Sequence, residues 1–430
     1  MIMQWSLVTG PLPWLLSGVG ALCAAWLIGA RRRLSAQAVA ECAGLGFGAA
    51  IVIWVVVERW WRPFPDALPR SVYTWVGIAV AALALLAVRI SVTPRWIRRI
   101  AAVTAAVCVI TACAVQINLE FGAYPTLEDL LGTGSDNRIS LTAVPAAQPN
   151  PVTGWPIESV WSPPPPTQVD GRVVRAVIPG TRSGFRARPA EIYLPPAYFT
   201  DPRPLLPVLV LLPGQPGSPV DWLNGGRVDQ TMDAFAAAHG GLAPVTVIAD
   251  ATGGAWRNPL CLDSRLGKVA SYLAIDVPAW VNGRLQVDPD PRRWAIGGMS
   301  YGGTCALQIA TNYPDRYPSF LDLSGDAEPS LGDRRQTVQA AFGGDTAAFE
   351  RVNPPTLLRT RRYPNSAGAL VTGTEDDTTL SAQRSIAAAA RAAGMTITTR
   401  ELPGGHNWSV WSAGLRIEMD WLAQRLGLTR

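Results

Sequence analysis

The sequence predicts a mostly parallel α/β domain with helices on both faces, preceded by an α-helical transmembrane domain. Three observations lead there. Apolar residues crowd into the first quarter of the 430-residue chain. After residue 171, short β-branched runs alternate with amphipathic segments, and Gly298-Met299-Ser300-Tyr301-Gly302 stands between a strand pattern and a helix pattern.

In the first quarter, residues 12–30, 39–57, 72–88 and 100–119 form apolar stretches of the about 17 to 20 residues a membrane helix needs. Glu41, Gln116 and Asn118 fall near the ends of these stretches, where polar groups reach the interface. The first stretch has no positive segment before it and is followed by Arg31, Arg32 and Arg33, so it reads as an uncleaved helix rather than a signal peptide. That arginine loop and the loop with Arg89, Arg95, Arg98 and Arg99 hold the positive excess. The intervening loop offsets Arg59, Arg62 and Arg70 with Glu58 and Asp66. Retention of positive loops on the cytoplasmic side places both termini outside, with Trp60, Trp61, Trp75 and Trp96 at headgroup level.

The expected organisation is a four-helix transmembrane anchor over 1–119, a Pro-rich extracytoplasmic linker over 120–170 and a catalytic domain over 171–430. From Gly132 onward Pro, Ser, Thr and Asn dominate, and Pro163 to Pro166 cannot sustain a helix or a central strand. The linker therefore reads as a spacer, part of which would wrap on the next domain.

The formal charge of +5 belongs to the anchor. Residues 1–119 carry ten basic side chains against three acids, and the remainder carries 27 against 29, so nothing favours a nucleic-acid partner. Cys23, Cys42, Cys108 and Cys113 lie in apolar stretches and read as small buried hydrophobes. Cys261 and Cys305 would form one disulfide outside the reducing cytoplasm, or stay as two buried thiols.

In the catalytic domain, strands are expected at 173–178, 190–194, 208–212, 245–249, 294–297, 320–323, 370–372 and 396–401. Helices are expected at 228–238, 266–281, 302–312, 334–342, 380–391 and 409–425. The nearly unbroken apolar run ending at Leu212 is the pattern of a strand buried on both faces.

Small residues at 298 and 302 let a strand turn sharply into a helix, which leaves Ser300 in a strained bend with its hydroxyl above the sheet. The competing reading is a Gly-rich packing turn whose Ser caps the helix. Of the two histidines, His239 ends an Ala-rich helix before Gly240-Gly241 and reads as a solvent-facing C-terminal residue. His406, in the loop after the last strand, is the expected base. The turn Gly373-Thr374-Glu375-Asp376-Asp377 supplies the acid. Asp376 is preferred, with Glu375 and then Asp377 as alternatives. The oxyanion needs two backbone N–H groups, expected from Tyr301 and from Gln215 in the Gly214–Gly217 loop, where Pro216 has no N–H. No cofactor is implied, and no Cys/His cluster has metal-ligand spacing.

Leu211-Leu212-Pro213-Gly214, Cys261-Leu262-Asp263-Ser264, Tyr272 through Trp280 with Asp276-Val277-Pro278, the Ser300 turn, the acidic turn and His406 give the segment 207–408 its resemblance. It resembles the esterase D and feruloyl-esterase family of the α/β-hydrolase superfamily, which also contains the mycolyltransferases of the antigen 85 type. The resemblance covers about half the chain and implies ester hydrolysis or acyl transfer through an acyl-enzyme, outside the cytoplasmic membrane. It also implies that the acid is a glutamate in the mycolyltransferase relatives, which keeps Glu375 in play, and that Cys261 and Cys305 correspond to a local staple. Pro213 stands where the family's first oxyanion loop usually has a histidine.

The expected function is therefore a membrane-anchored serine esterase acting on lipid or cell-envelope esters, aminoacyl-phospholipid esters included, with membrane lipids as its surroundings. The rivals are an acyltransferase that moves an acyl group to a sugar or glycerol, and a non-catalytic membrane-tethered binding or assembly protein. No residue pattern sets an oligomeric state.

Overall fold

The computed structural model describes residues 5–29, 34–62, 67–131, 137–164 and 169–430. Arg31, Arg32, Arg33, Asp66, Pro165 and Pro166, used in the sequence argument, lie outside the described residues. The chain divides into two compact units, Met1–Gly134 and Ser135–Arg430.

Among the described residues of the first unit, four helices are long and apolar enough to cross a membrane: α1 (Pro11–Gly29), α2 (Ala36–Val55, continuing to Trp61), α3 (Arg70–Val92) and α4 (Trp96–Phe121). Each expected stretch is found: α1 begins one residue earlier than expected, and α2, α3 and α4 run longer at both ends. Small residues set the packing. A Cβ on Gly46 would fall 2.4 Å from the Gly77 carbonyl oxygen, and one on Gly20 would fall 2.3 Å from the Ala112 methyl. Such close backbone approach is how helices associate where water gives no hydrophobic drive. Trp14, Leu22, Phe47 and Trp60 turn outward, leaving an apolar outer surface. Trp61 and Trp96 are also exposed, whereas Trp75 packs partly buried among the helices. Arg89 is buried, and its guanidinium donates to the Leu27 and Ile28 carbonyls at the end of α1, so the cation sits at the negative pole of that helix.

Among the described residues of the second unit nine strands form one sheet: β1 (Arg138–Ile139), β2 (Arg172–Ala176), β3 (Ala190–Leu194), β4 (Val208–Leu212), β5 (Val245–Ile248), β6 (Trp294–Met299), β7 (Ser319–Leu323), β8 (Ala367–Gly373) and β9 (Thr396–Leu402). Their order is β1-β2-β3-β5-β4-β6-β7-β8-β9. Only β3 runs against its neighbours. Every residue of β4 is fully buried, as its apolar run requires.

The main helices are α5 (Val228–Ala238), α6 (Val277–Arg284), α7 (Tyr301–Asn312), α8 (Arg334–Phe342), α9 (Asp377–Ala392) and α10 (Trp408–Arg425). Asp322 lies against Gly303 of α7, and the next residue, Leu323, lies against Gly414 of α10. Consecutive side chains of a strand point to opposite faces, so α7 and α10 cover the two sides of the sheet.

Two segments differ from expectation. The 266–281 helix instead opens with a small hairpin, Asp263–Ser264 against Gly267–Lys268, and turns through a wide π segment, Tyr272–Asp276, before α6. Pro278 explains the break: it has no N–H to continue a regular ladder, yet it fits the first turn of a new helix. The Pro-rich spacer is also less detached than a free linker. Between 137 and 164 it supplies β1, a bridge from Val152 to Pro204, and the buried residues Ile157 and Trp161. The Ile157 and Glu158 N–H groups donate to the carbonyls of Gly427 and Leu428.

Candidate active site

The site forms at the carboxyl ends of β4, β6, β8 and the loop after β9. At the end of β6, Ser300 has φ 54° and ψ −121°, a conformation that non-glycine residues rarely adopt. Its backbone N–H donates to the Leu323 carbonyl at 2.8 Å and its own carbonyl accepts from Thr304, which locks the turn between β7 and α7. Room for the bend exists because the residues two before and two after it are glycine. A Cβ on Gly298 would fall 2.4 Å from the Gly302 carbonyl carbon, and one on Gly302 would fall 2.2 Å from the Leu212 oxygen. The Ser300 side chain makes no capping bond to the helix, which removes the capping alternative.

The Ser300 hydroxyl oxygen lies 2.8 Å from His406 Nε2, and His406 Nδ1 lies 2.7 Å from Asp376 Oδ2. Burial by itself pushes the Asp376 carboxyl up, but the His406 hydrogen bond and charge, with help from Thr379, hold it below the usual carboxylate range. A carboxylate only accepts, so Nδ1 carries the proton and the Nε2 lone pair faces the serine hydroxyl.

The loops that carry acid and base are stitched together. The Thr374 N–H donates to the Leu402 carbonyl at 2.8 Å, and the Glu375 N–H to the Gly404 carbonyl at 2.9 Å. Asp376 also caps α9, accepting from the Thr379 N–H, which places its charge at the positive end of a helix. Glu375 and Asp377 flank it but are exposed, so the three-way choice among the acids resolves geometrically to Asp376.

Gln215 is buried in the loop after β4, and Tyr301 opens α7. The first N–H groups of a helix have no intrahelical acceptor, which leaves the Tyr301 amide directed out of the helix end. A Cβ on Gly214 would fall 2.7 Å from Met299 Sδ, so this loop lies directly over the residue before Ser300. Cys261 and Cys305 are joined as a disulfide, which fastens the segment after β5 to the second turn of α7. His239 closes α5 as expected, but it is not simply a solvent-facing residue. Its Nδ1 lies 2.8 Å from Glu158 Oε1, and its ring stacks on Phe235 at 4.2 Å between centroids.

Sequence reasoning missed an aromatic row behind the base. The Trp411 ring stands edge-on to His406 at 5.0 Å, Trp408 edge-on to Trp411, and Trp222 edge-on to Trp408. Trp222 Nε1 donates to the Leu212 carbonyl, the last of β4. Trp408 and Trp411 are three residues apart in a helix, a spacing that puts both on one face and that carried this signal. No group of three or more His, Cys, Asp or Glu side chains suited to a metal occurs among the described residues.

A serine on a strand-to-helix bend, an imidazole from the loop after the last strand and a carboxyl from the turn after the strand before it, on a mostly parallel sheet, define a serine hydrolase of the α/β-hydrolase fold. The chain belongs to the putative esterase family, whose model matches residues 185–422. It is a carboxylic-ester hydrolase or acyltransferase by that membership. An uncharacterised protein of Corynebacterium glutamicum is 41% identical over 388 residues, which is 87% of this chain and 86% of that protein. That share is more than the second unit contains, so the likeness extends into the apolar first unit. Among solved structures, an S-formylglutathione hydrolase from Agrobacterium tumefaciens matches with a TM-score of 0.51 at 20% identity, covering 61% of this chain and 98% of that one. A ferulic acid esterase matches with a TM-score of 0.50 at 20% identity, covering 60% of this chain and all of the other. At that identity the likeness is one of fold.

Proposed function

We propose that this protein is a membrane-anchored serine esterase that hydrolyses lipid or cell-envelope esters, aminoacyl esters of phospholipid head groups among them, on the outer side of the cytoplasmic membrane. The observation that carries the chemistry is the unbroken chain Ser300 Oγ, His406, Asp376, with both links under 3 Å. His406 Nε2 takes the hydroxyl proton as Ser300 Oγ attacks the ester carbonyl, and the carbonyl π electrons move onto oxygen. Asp376 stabilises the resulting imidazolium. The Gln215 and Tyr301 N–H groups are the assigned donors to the oxyanion. Collapse expels the alcohol, which takes the proton from His406, and water then repeats the sequence on the acyl-enzyme.

The membrane assignment draws on the four long apolar helices, and the outer location on the positive-inside pattern and the Cys261–Cys305 disulfide. Confinement beside a bilayer favours ester substrates that reside there. The test is fluorophosphonate labelling of the full chain in detergent, followed by turnover of short-chain, long-chain and aminoacyl esters. Labelling and turnover are expected in the wild type and absent in Ser300→Ala. An intact protein that never labels would show instead a binding or assembly factor on a retired fold. Products that appear only when a sugar or glycerol acceptor is added would replace hydrolysis by acyl transfer.

A further inference from the structure

The loop before β3 places Arg188 at the mouth of β5. Its backbone N–H donates to Asp250 Oδ2 at 2.7 Å, and its guanidinium reaches both oxygens of that carboxylate, Nε to Oδ2 at 3.2 Å and Nη2 to Oδ1 at 2.8 Å. Asp250 is fully buried. Desolvation alone would raise its carboxyl, but the Arg188 bonds and charge hold it below the ordinary range. The same carboxylate accepts from the N–H groups of Thr252 and Gly253, so the pair fixes the whole turn after β5.

Nη2 also lies 2.7 Å from the Gly217 carbonyl oxygen and 2.7 Å from the Thr252 hydroxyl oxygen, so its two N–H groups are shared among these acceptors and Asp250 Oδ1. Gly217 closes the loop that carries Gln215, and this loop is tightly folded: a Cβ on Gly217 would fall 2.7 Å from the Gly214 oxygen. The turn that Arg188 fixes is tied in turn to the serine helix. The Tyr301 hydroxyl donates to the Ala251 carbonyl at 3.3 Å, and the Cys261–Cys305 disulfide fastens the far end of the same segment. One short stretch of chain, 250–252, is thus held to the loop of one assigned oxyanion donor through Arg188 and to the helix of the other through Tyr301.

We infer that Arg188 is a positioning residue that sets the spacing between the Gln215 and Tyr301 N–H groups, an assignment resting on the serine-esterase reading above. A planar, multiply donating guanidinium suits the task because it meets a carboxylate and a carbonyl at once, whereas a lysine ammonium meets them as a point charge. Oxyanion donors act only when they are already aimed at the developing charge, so a small relaxation of the 214–217 loop costs rate more than substrate binding.

The test compares wild type, Arg188→Lys and Arg188→Met as full chains in detergent. Each is titrated with fluorophosphonate to completion, so that kcat refers to competent sites alone. The expected order of kcat per titrated site is Arg, then Lys, then Met, with the Met variant down roughly 10- to 100-fold, less than the loss on deleting a donor outright. KM should change little, and the pH profile should keep its shape because the Ser300–His406–Asp376 bonds are untouched. Added guanidinium ion should restore part of the Met variant's kcat, a rescue that a purely structural defect would not show. Undiminished kcat per site in Arg188→Met, or a loss confined to the fraction of titratable protein, overturns the positioning role. A wild-type chain that never titrates at Ser300 overturns the esterase reading and this one with it.

Discussion

Asp322 shows how a single residue can set the pH behaviour of the region behind the nucleophile. It is fully buried in β7, its Oδ1 accepts from the Gly325 N–H at 2.9 Å, and burial pushes its carboxyl up to about 7. Hydrogen bonds from the Gln383 side chain and the Gly325 N–H offset part of that rise without cancelling it. The folded chain therefore holds a proton that the unfolded chain gives up near pH 4, the ordinary range for Asp. Stability contributed by the neutral form is full at low pH and falls as pH rises from about 4 towards 7. Asp322→Asn keeps the shape, needs no proton and supplies its own donor. Above pH 7 it should raise the thermal midpoint by a few degrees, on a scale of roughly 2–4 °C per kcal/mol for a large domain, and it should flatten the pH dependence between about pH 5 and 7. Near-ultraviolet circular dichroism across that range checks it, and parallel pH curves for the two proteins would show that Asp322 is already ionised.

Among the elements, the segment from β5 to α6 departs most from what the sequence suggested and bears most directly on the site. The Cys261–Cys305 disulfide spans 44 residues, for which loss of chain entropy alone gives about 4 kcal/mol. Replacing both cysteines by alanine should lower the thermal midpoint and slow ester turnover, because the 250–262 segment would then be held to α7 mainly by the Tyr301 hydroxyl. Equal midpoints and equal kcat with and without the bond would leave the staple without a role. The same region marks what the sequence could and could not convey. β4, β6 and the Ser300 bend were legible because an unbroken apolar run, a glycine pair and a helix start coincide within a few residues. Asp376 was separable from Glu375 and Asp377 only in part, since adjacent acids differ by which one turns inward, and that depends on the Leu402 and Gly404 carbonyls thirty residues downstream. Arg188 left no trace in pattern or spacing, because its partners, Asp250 and Gly217, come from two other loops. Tyr272–Asp276 read as ordinary helix because periodicity does not register a single widened turn ahead of a proline.

On the scale of the whole molecule, the proposed outer location of the second unit draws on the basic loops of residues 1–119 and on the four long apolar helices among the described residues. An impermeant protease added to intact cells should therefore digest the 137–430 portion while sparing the helices, and a portion that resists until the cells are lysed would reverse the orientation. The pairing of Ile157 and Glu158 with Gly427 and Leu428 has a mechanical side. Under the proposed anchoring, a pull along the chain would meet β1 and the Val152–Pro204 bridge first and this clasp next, at the tail of α10. His406 precedes the other end of that helix, 18 residues or about 27 Å away. With the anchoring proposed above, traction would be taken up by the sheet edge, the bridge and the far extremity of a stiff rod, away from the imidazole.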